Sequence, residues 1–225
     1  MTEKILSIVV PAYNEEQHIY KVVDSLIESR PKILQGTHFA DIEIVVVNDG
    51  SIDGTAKELD KISREYVQVC THPINMGYGA ALKTGFEAAK GQYLAFMDGD
   101  GTIDPMNFVE MSQAMEAKNV DMVVGKRFGT KSSGMPKIRK IGNYFFAYLL
   151  SFLAGEKVED TASGIRLFKR EVLSRLYPLP DGLHFTPAMS SKALHEKVSL
   201  FEVPVSYAER SGSPNSMLLQ MGFVF

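Results

Sequence analysis

Two aspartates separated by one glycine, Asp98-Gly99-Asp100, directly follow an apolar run that ends at Met97. Side chains at i and i+2 of an extended strand project to the same side, so the two carboxylates are expected to point together from one strand edge. Carboxylate oxygens are hard ligands that suit Mg²⁺ or Mn²⁺, and glycine lets a bulky anion approach the backbone. The spacing therefore predicts that Asp98 and Asp100 hold a divalent cation against a phosphate, with an ordinary Asp-Gly turn as the alternative.

The same stretch also resembles the middle of a calcium-binding EF-hand loop. If Gly101 is the glycine at position 6 of such a loop, Phe96 stands at the first ligand position and Asn107 at the last. Phenylalanine cannot bind calcium, and the last position requires a bidentate glutamate. The preceding residues have the pattern of a buried strand, whereas an EF-hand needs an amphipathic helix there. The EF-hand interpretation therefore fails.

Apolar runs that alternate with amphipathic patterns predict the elements that must position these carboxylates. Strands are predicted at 5–10, 42–47, 66–70, 93–97 and 122–124, and helices at 15–28, 53–64, 80–90 and 105–118. This alternation predicts an α/β fold with a mostly parallel central sheet flanked by helices on both faces. Such sheets bind ligands at the carboxyl ends of their strands, where every unusual motif of this chain falls. The alternation stops near residue 126.

Composition limits the class of protein. A chain of 225 residues with 45% hydrophobic and 23% charged residues is typical of one soluble globular domain with a full core. The net charge of −3 gives no overall attraction to nucleic acid, and the five histidines lack zinc-site spacing. A single cysteine, Cys70, excludes an internal disulfide and favours a reducing compartment. We find neither a signal-peptide pattern nor an apolar run of the roughly 20 residues that span a membrane.

The end of the first predicted strand carries two further candidates. Pro11 is expected to end the strand, and the acidic pair Glu15-Glu16 is expected to begin the next helix. Between them, Tyr13 could contact a base or ribose, and Glu15 could accept a hydrogen bond from a base or sugar. A simple strand-to-helix turn is the alternative.

The second predicted strand ends in Asp49, after a run of β-branched residues. An unpaired carboxylate buried there would be costly, which makes Asp49 a ligand candidate. The nearby Ser51 and Asp53 have a simpler explanation, because either could cap the helix that follows.

Two glycines at the start of the third helix, Gly77 and Gly79, suggest a dinucleotide-binding motif. Leu82 stands where that motif needs a third small residue, and the motif follows the third strand, not the first. Close packing of the helix on the sheet explains the glycines better than nicotinamide or flavin binding. Lys83 on this helix could still reach a phosphate.

Taken together, residues 10–15, 48–55 and 97–100 resemble, in order and spacing, the family 2 inverting glycosyltransferases. The likeness is strongest to the branch that transfers sugars to dolichyl and polyprenyl phosphates, and it covers residues 5 to about 210. It implies a GT-A fold in a single Rossmann-like domain at 1–210, with a nucleotide-sugar half at 1–126 and an acceptor-side half at 127–210. It also implies Mg²⁺ or Mn²⁺ as cofactor. The candidates for nucleotide-sugar binding are Pro11, Tyr13, Glu15, Val47, Asp49, Lys83, Asp98 and Gly99.

The later segments fit the same branch. Arg127 matches the family's phosphate-binding arginine, residues 160–166 match its D-x-x-S-G-x-R acceptor-side motif, and Arg210 matches an arginine that closes over the diphosphate. Arginine suits these roles because its planar fork meets two phosphate oxygens at once. The resemblance thus implies Asp100, Arg127, Asp160 and Arg210 as catalytic residues and Ser163, Arg166 and Arg139 as acceptor-binding residues.

The sequence departs from the family pattern at two places. Thr102 stands where many members have a metal-binding glutamine, and residues 214–216 replace a Ser-Lys-Leu ending, so a phosphate-neutralising lysine is missing. Loss of that cation would remove roughly a few kcal/mol of leaving-group stabilisation. These departures keep open a pseudoenzyme that only binds the nucleotide sugar.

An uncharged, aromatic-rich stretch at 137–155 begins with Lys137, Arg139 and Lys140. This pattern predicts a helix lying in the membrane interface, with a buried core helix as the alternative. The uncharged tail at 211–225 is consistent with a catalytic domain that ends before a transmembrane segment.

These features together predict inverting transfer of a hexose-type sugar from a UDP- or GDP-sugar to a polyprenyl phosphate, at the cytoplasmic face of the membrane. A lipid phosphate is already an anion and needs no general base. If the acceptor is instead a hydroxyl, as in polysaccharide or glycolipid synthesis, Asp160 is the predicted base. The sequence does not specify the oligomeric state.

Overall fold

The structure, a computed structural model, describes residues 4–127 and 160–208. Its strands are β1 (Ile5–Ala12), β2 (Asp41–Asn48), β3 (Val67–Thr71), β4 (Tyr93–Met97), β5 (Met122–Arg127), β6 (Ile165–Lys169) and β7 (Leu200–Val205). Its helices are α1 (Ile19–Gly36), α2 (Thr55–Leu59), α3 (Tyr78–Ala88), α4 (Asn107–Lys118), α5 (Arg170–Leu176) and α6 (Phe185–His195). The predicted interfacial helix at 137–155 and the tail at 211–225 lie outside the described residues.

All seven strands form one sheet in the order β3-β2-β1-β4-β6-β5-β7. The pairs β1–β2, β1–β4, β2–β3 and β5–β7 are parallel, whereas β6 runs antiparallel to both β4 and β5. The predicted α/β fold with a mostly parallel sheet is confirmed. The reversed strand β6 follows the point near residue 126 where the regular alternation was expected to stop.

Helices cover both faces of the sheet, as predicted. One buried apolar cluster packs α1 and α4 against one face, and a second packs α3, α5 and α6 against the other. Successive residues of β1 alternate between the two, since Ile8 and Val10 join the first cluster and Val9 joins the second. Both faces are therefore dry, and polar groups on the central strands can reach a ligand only at a strand end.

Pro11 does not end β1, so this prediction was wrong. The strand continues to Ala12, with Pro11 in register with Val47 of β2. Pairing with β4 on the other side stops at Val9. Beyond Val9, one edge of β1 has no partner strand in the described chain, so a residue without an N–H is tolerated there.

Several helix boundaries also differ from the prediction. Helix α1 begins at Ile19 instead of residue 15, because residues 16–18 form a turn in which His18 and Ile19 both donate to the carbonyl of Glu15. The helix then continues through Pro31 to Gly36, well past the predicted end at 28. Burial of Ile33 against the sheet side of the helix accompanies this extension. Among the described helices, none combines the length and the apolar content that crossing a membrane requires.

Candidate functional site

A cavity of about 230 Å³ opens at the carboxyl ends of the central strands β1, β2 and β4. The cavity lies at the sheet edge where the sequence analysis predicted a ligand, because neighbouring parallel strands bring their end loops to one edge. The predicted residues that line it are Pro11, Tyr13, Glu15, Asp49, Asp98, Gly99 and Asp100. These residues come from three segments at strand ends that are far apart in sequence, and the fold brings them together.

Asp98 and Asp100 both line this cavity, but not for the predicted reason. Strand β4 ends at Met97, and residues 99 and 100 lie in a turn, so strand alternation does not orient the two carboxylates. Hydrogen bonds from neighbouring hydroxyls orient them instead. Oδ1 of Asp98 accepts from the hydroxyl of Tyr78 at 2.8 Å, and Oδ1 of Asp100 accepts from the hydroxyl of Thr102 at 2.6 Å.

Gly164 forms the wall directly behind Asp98. Its carbonyl accepts from the backbone N–H of Asp98 at 3.1 Å, and a Cβ at position 164 would lie 1.8 Å from Oδ2 of Asp98. Only a glycine allows this approach. One residue of the predicted acceptor-side motif at 160–166, Gly164, therefore packs against Asp98 of the aspartate pair.

The donor set suits a divalent cation. Two carboxylates share one wall, and no group of three or more His, Cys, Asp or Glu side chains suited to a metal occurs within residues 4–127 and 160–208. Mg²⁺ is usually held in this way, by one or two carboxylates together with substrate phosphates and water. Thr102 occupies the position of the family's glutamine, and its hydroxyl donates to Asp100. The residues present thus fit Mg²⁺ or Mn²⁺.

Asp49 is only 1% exposed, and its carboxylate accepts hydrogen bonds from three donors. The backbone N–H groups of Met76 and Gly77 each donate to the carboxylate at 2.9 Å, and Nδ1 of His72 lies 2.6 Å from Oδ1. The predicted penalty for an unpaired carboxylate therefore does not arise. The carboxylate still borders the cavity, where Oδ2 carries one of these three bonds and has capacity for another.

Two loops that border the cavity are tied to each other. The backbone N–H of Asn14 donates to the hydroxyl of Ser51 at 3.0 Å, and that of Glu15 donates to the hydroxyl of Thr55 at 2.8 Å. Asp53 accepts from the backbone N–H of Thr55 at 2.9 Å, just before α2, whereas the N-cap residue of this helix is Gly54 and neither Ser51 nor Asp53. These bonds fix the backbone that presents Tyr13 and Glu15.

The side chain of Glu15 also lies against the first turn before α1. Its Oε2 is 3.2 Å from Nδ1 of His18. Tyr13 is 9% exposed and lies on the cavity wall beside it.

Tyr78 is a site residue that the sequence analysis missed. Its ring lines the cavity and its hydroxyl donates to Asp98. Burial of the hydroxyl, followed by the charge of Asp98, raises the pKa of Tyr78 well above its usual value, so the group stays a donor. Its position between two glycines at a strand-end loop was the available signal, but those glycines were interpreted only as packing residues.

Arg166 is fully buried beneath the cavity wall and does not line the cavity. Nη2 donates to the carbonyls of Thr161 and Thr186 at 2.8 and 2.9 Å, whereas Nε and Nη1 have no hydrogen-bond partner among the described residues. Burial lowers the pKa of Arg166 to about 10, so the guanidinium remains charged near neutral pH. Ser163 is also fully buried, and its hydroxyl donates to the carbonyl of Gly125.

Three further predicted residues within the described part of the chain do not line the cavity: Lys83, Val47 and Asp160. Lys83 donates to the carbonyl of Leu179 at 3.2 Å and pairs with Asp181, and Val47 lies in an apolar cluster. Oδ1 of Asp160 accepts from the backbone N–H of Ala162 at 3.2 Å. Arg127 ends β5, as expected for an arginine at a strand end. Arg139 and Arg210 lie outside the described residues.

A mostly parallel sheet with two aspartates on the wall of a cavity at its carboxyl edge defines an α/β protein with a candidate ligand site at that edge. Residues 7–177 match the family described as Glycosyl transferase family 2. The chain therefore belongs to this family and is a glycosyltransferase. The predicted family is confirmed.

Curated relatives lie within the same class. A dolichyl-phosphate beta-glucosyltransferase of Trichomonas vaginalis is 29% identical over 216 residues, covering 92% of this chain and 67% of that protein. The human dolichyl-phosphate beta-glucosyltransferase is 28% identical over 239 residues, covering 97% and 73%. The dodecaprenyl-phosphate galacturonate synthase of Rhizobium johnstonii is 28% identical over 186 residues, covering 81% and 53%. The chain spans about two thirds of the length of the curated relatives that it matches.

Among solved structures, the glucosyl-3-phosphoglycerate synthase from Mycobacterium tuberculosis has the same fold. Its complex with Mn²⁺, UDP and glucosyl-3-phosphoglycerate superposes with a TM-score of 0.70 at 19% identity, covering 97% of this chain and 75% of that chain. A second structure of the same enzyme, with Mg²⁺ and UDP, superposes with a TM-score of 0.69. At this identity the likeness concerns the fold, and the predicted GT-A fold is confirmed.

Proposed function

We propose that the protein transfers a hexose-type sugar, with inversion, from a UDP- or GDP-sugar to a polyprenyl or dolichyl phosphate. The observation that carries the proposal is the pair Asp98 and Asp100 on the wall of one cavity at the carboxyl edge of the sheet. Family membership supports the reaction class. The lipid-phosphate acceptors named for several relatives support the acceptor class.

The donor is assigned to the half of the site formed by the first four strands. Tyr13, Glu15 and Asp49 would hold the nucleoside, because they line the cavity on the β1 and β2 loops. Asp98 and Asp100 would hold Mg²⁺ or Mn²⁺, as the metal complexes of the mycobacterial enzyme with the same fold support. A divalent cation there supplies positive charge that stabilises the departing nucleoside diphosphate.

Two arginines are assigned to the same leaving group. Arg127 ends β5 near the aspartate side of the sheet, and Arg210 follows the last described residues. Each guanidinium could meet two phosphate oxygens in its plane. Their positive charge would grow in importance as the glycosidic bond breaks, because the diphosphate then carries more negative charge.

The acceptor phosphate needs no general base, because it is already an anion. One of its oxygens would form the bond to the anomeric carbon as the bond to the diphosphate breaks, which inverts the configuration. Ser163, Arg166 and Arg139 are assigned to the acceptor side. Since Arg166 is fully buried, direct contact between a phosphate and its Nε and Nη1, which lack partners in the part of the chain that the structure describes, requires the wall above it to move.

We assign the protein to the cytoplasmic face of a membrane, as a peripheral protein that meets its lipid acceptor through the stretch at 137–155. The uncharged, aromatic-rich composition of this stretch and the basic residues at its start support the assignment. The division into a donor half at 1–126 and an acceptor half at 127–210 belongs to the same proposal.

The test is an acceptor assay with purified protein, Mn²⁺, and either UDP-glucose or GDP-mannose. Undecaprenyl and dolichyl phosphates are compared with the matching polyprenols, and the anomeric configuration of the product is read by NMR. The Asp100→Asn variant should lose at least about 100-fold in turnover, if it removes a ligand that acts on the leaving group. Asp60→Asn, at an exposed carboxylate after α2, is the matched control and should keep full turnover.

Turnover with the polyprenols but not with the lipid phosphates would overturn the acceptor assignment. Metal-dependent nucleotide binding without transfer to any acceptor would instead support the pseudoenzyme. A product with retained configuration would refute the single displacement.

A further inference from the structure

Three consecutive residues connect the two carboxylate sites of the cavity. The backbone N–H groups of Met76 and Gly77 donate to Asp49, and the hydroxyl of Tyr78 donates to Asp98. Asp49 follows β2, and Asp98 follows β4, so the two carboxylates have no direct sequence connection. One short segment, 76–78, therefore sets the positions of both.

This segment is held in one conformation by its surroundings. Gly77 has φ of +105°, which favours glycine, and a Cβ there would lie 2.5 Å from the carbonyl oxygen of Asp181. That same carbonyl accepts from the backbone N–H of Ala80 at 3.0 Å, which fixes the first turn of α3. Tyr78, the first residue of this helix, thus presents its ring from a rigid start.

Asp98 is confined from two sides. Its Oδ1 accepts from Tyr78 at 2.8 Å, and its Oδ2 faces the Cα of Gly164, where there is no space for even one methyl group. A carboxylate that is already held in one rotamer loses less conformational entropy when it binds a cation. Without the Tyr78 hydroxyl, the Asp98 carboxylate would be restrained only by the wall at Gly164 and by its interactions with residues other than Tyr78.

We propose that Tyr78 is a positioning residue, whose hydroxyl holds Asp98 ready for the divalent cation while the residues before it hold Asp49 for the nucleoside. This inference deepens the proposed function and rests on it. The inference adds Tyr78 to the residues with a role in the proposed reaction. Tyr78 touches neither the sugar nor the acceptor and acts on the metal through Asp98. Metal binding should therefore depend on Tyr78 more strongly than nucleoside binding does.

The test uses Tyr78→Phe, which removes one oxygen and keeps the ring that lines the cavity. UDP binding is measured by calorimetry over a series of Mn²⁺ concentrations and also in EDTA, with thermal unfolding followed in parallel. Loss of a hydrogen bond to a charged group should raise the Mn²⁺ concentration for half-maximal UDP binding about tenfold. UDP affinity in EDTA should stay within about twofold of the wild-type value, because the bonds to Asp49 come from the backbone.

Tyr93→Phe is the matched control. Tyr93 begins β4 and packs edge-on against Phe39, with ring centroids 5.1 Å apart, at the opposite end of the strand from Asp98. This variant should leave both the Mn²⁺ dependence and the UDP affinity unchanged.

Three outcomes would overturn the inference. A Tyr78→Phe protein with the wild-type Mn²⁺ dependence would show that the hydroxyl does not position a metal ligand. A parallel loss of UDP affinity with and without Mn²⁺, together with lower thermal stability, would show a purely structural role. Wild-type protein that binds UDP equally in Mn²⁺ and in EDTA would overturn both the inference and the metal in the proposed function, whereas the first two outcomes leave that metal intact.

Discussion

Nδ1 of His72 lies 2.6 Å from Oδ1 of Asp49, and both side chains are buried at the carboxyl edge of the sheet. On the other side of the imidazole, Nε2 lies 2.9 Å from the hydroxyl of Thr84 on α3. Both bonds form when Nδ1 carries the hydrogen and donates to Asp49, while Nε2 accepts from the hydroxyl. Helix α3 therefore orients the carboxylate assigned to the nucleoside through one histidine.

The His72→Ala variant should be less stable and should bind UDP more weakly. Removal of a donor to a buried carboxylate is expected to lower the free energy of unfolding by about 1–3 kcal/mol. Urea unfolding and calorimetry with UDP measure the two effects. His195→Ala, at an exposed histidine that ends α6, should change the free energy of unfolding by at most about 0.5 kcal/mol. Equal stabilities for His72→Ala and wild type would contradict the structural role of this pair.

The Gly164→Ala variant should fold but lose metal-dependent nucleotide binding. The new Cβ would lie 1.8 Å from Oδ2 of Asp98, and a flexible side-chain end can move more easily than the backbone around it. Asp98 should therefore leave its bond to Tyr78, and UDP affinity in Mn²⁺ should fall about tenfold or more.

Gly182→Ala is the control for this glycine. A Cβ there would meet the ring of His184 at 3.1 Å, which is a milder contact with another side chain. Calorimetry on both variants provides the comparison, and circular dichroism checks that they are folded. If UDP binds Gly164→Ala as tightly as wild type, Asp98 does not need its observed position.

The Arg166→Met variant should be less stable, should keep its UDP affinity and should use the lipid phosphate less well. Methionine cannot donate to the carbonyls of Thr161 and Thr186, so the free energy of unfolding should fall by about 1–3 kcal/mol. If Arg166 binds the acceptor phosphate, its loss should raise the KM for that lipid and leave the KM for the donor unchanged.

Arg64→Met provides the control, since Arg64 is exposed and donates only to the neighbouring carbonyl of Ser63 among the described contacts. Steady-state kinetics with each substrate varied in turn gives the two KM values. An unchanged KM for the lipid in Arg166→Met would remove Arg166 from the acceptor site and leave it as a structural residue.

The ion pair between Asp121 and Lys169 should contribute stability that is lost in acid. The hydrogen bond from Lys169 lowers the pKa of the Asp121 carboxyl below its usual 3.8, so folding favours the ionised form. The contribution is therefore present above about pH 4 and disappears as pH falls through the lowered pKa. Because both side chains are partly exposed to solvent, Lys169 at 29% and Asp121 at 27%, the contribution of the pair should be below about 1 kcal/mol.

Urea unfolding of wild type and Asp121→Asn at several pH values tests this dependence. The difference between the two proteins should be constant from pH 5 to 8 and shrink as the pH falls below about 4, where the carboxyl takes up a proton first in the unfolded state and then in the folded state. A difference that persists unchanged at pH 3 would mean that the side chain acts by packing and not by charge.

Much of the fold follows from local pattern. The run that ends at Met97 was predicted with its bounds, and the α/β class followed from the alternation of apolar runs with amphipathic segments. The length of α1 was not predictable in this way, because Pro31 normally ends a helix and only packing of Ile33 against the sheet side shows why this one continues. The preference of proline for strand ends was also misleading at Pro11. In the described chain β1 pairs with β4 only as far as Val9, so Pro11 has no partner strand on that side, and this depends on the register of β4.

The residues of the candidate site likewise fall into those that the sequence identified and those that it did not. Asp49, Asp98 and Asp100 were identifiable because carboxylates at the ends of apolar strands are unusual in type and position. Their partners were not: Tyr78 and His72 are 20 and 23 residues from the carboxylates that they contact. Tyrosine and histidine are common in cores, so residue type alone could not single them out.

By itself, the chain's order of strands, helices and aspartate motifs determined the α/β class, the family, and the edge of the sheet at which the candidate site lies, because these depend on periodicity and on the ends of strands. Only the tertiary structure decided which groups orient the carboxylates and which predicted residues stay away from the cavity. Lys83 pairs with Asp181 and does not line the cavity, and the antiparallel pairing of β4 with β6 brings Gly164 into contact with Asp98. Such contacts depend on three-dimensional register, which no single segment of sequence encodes.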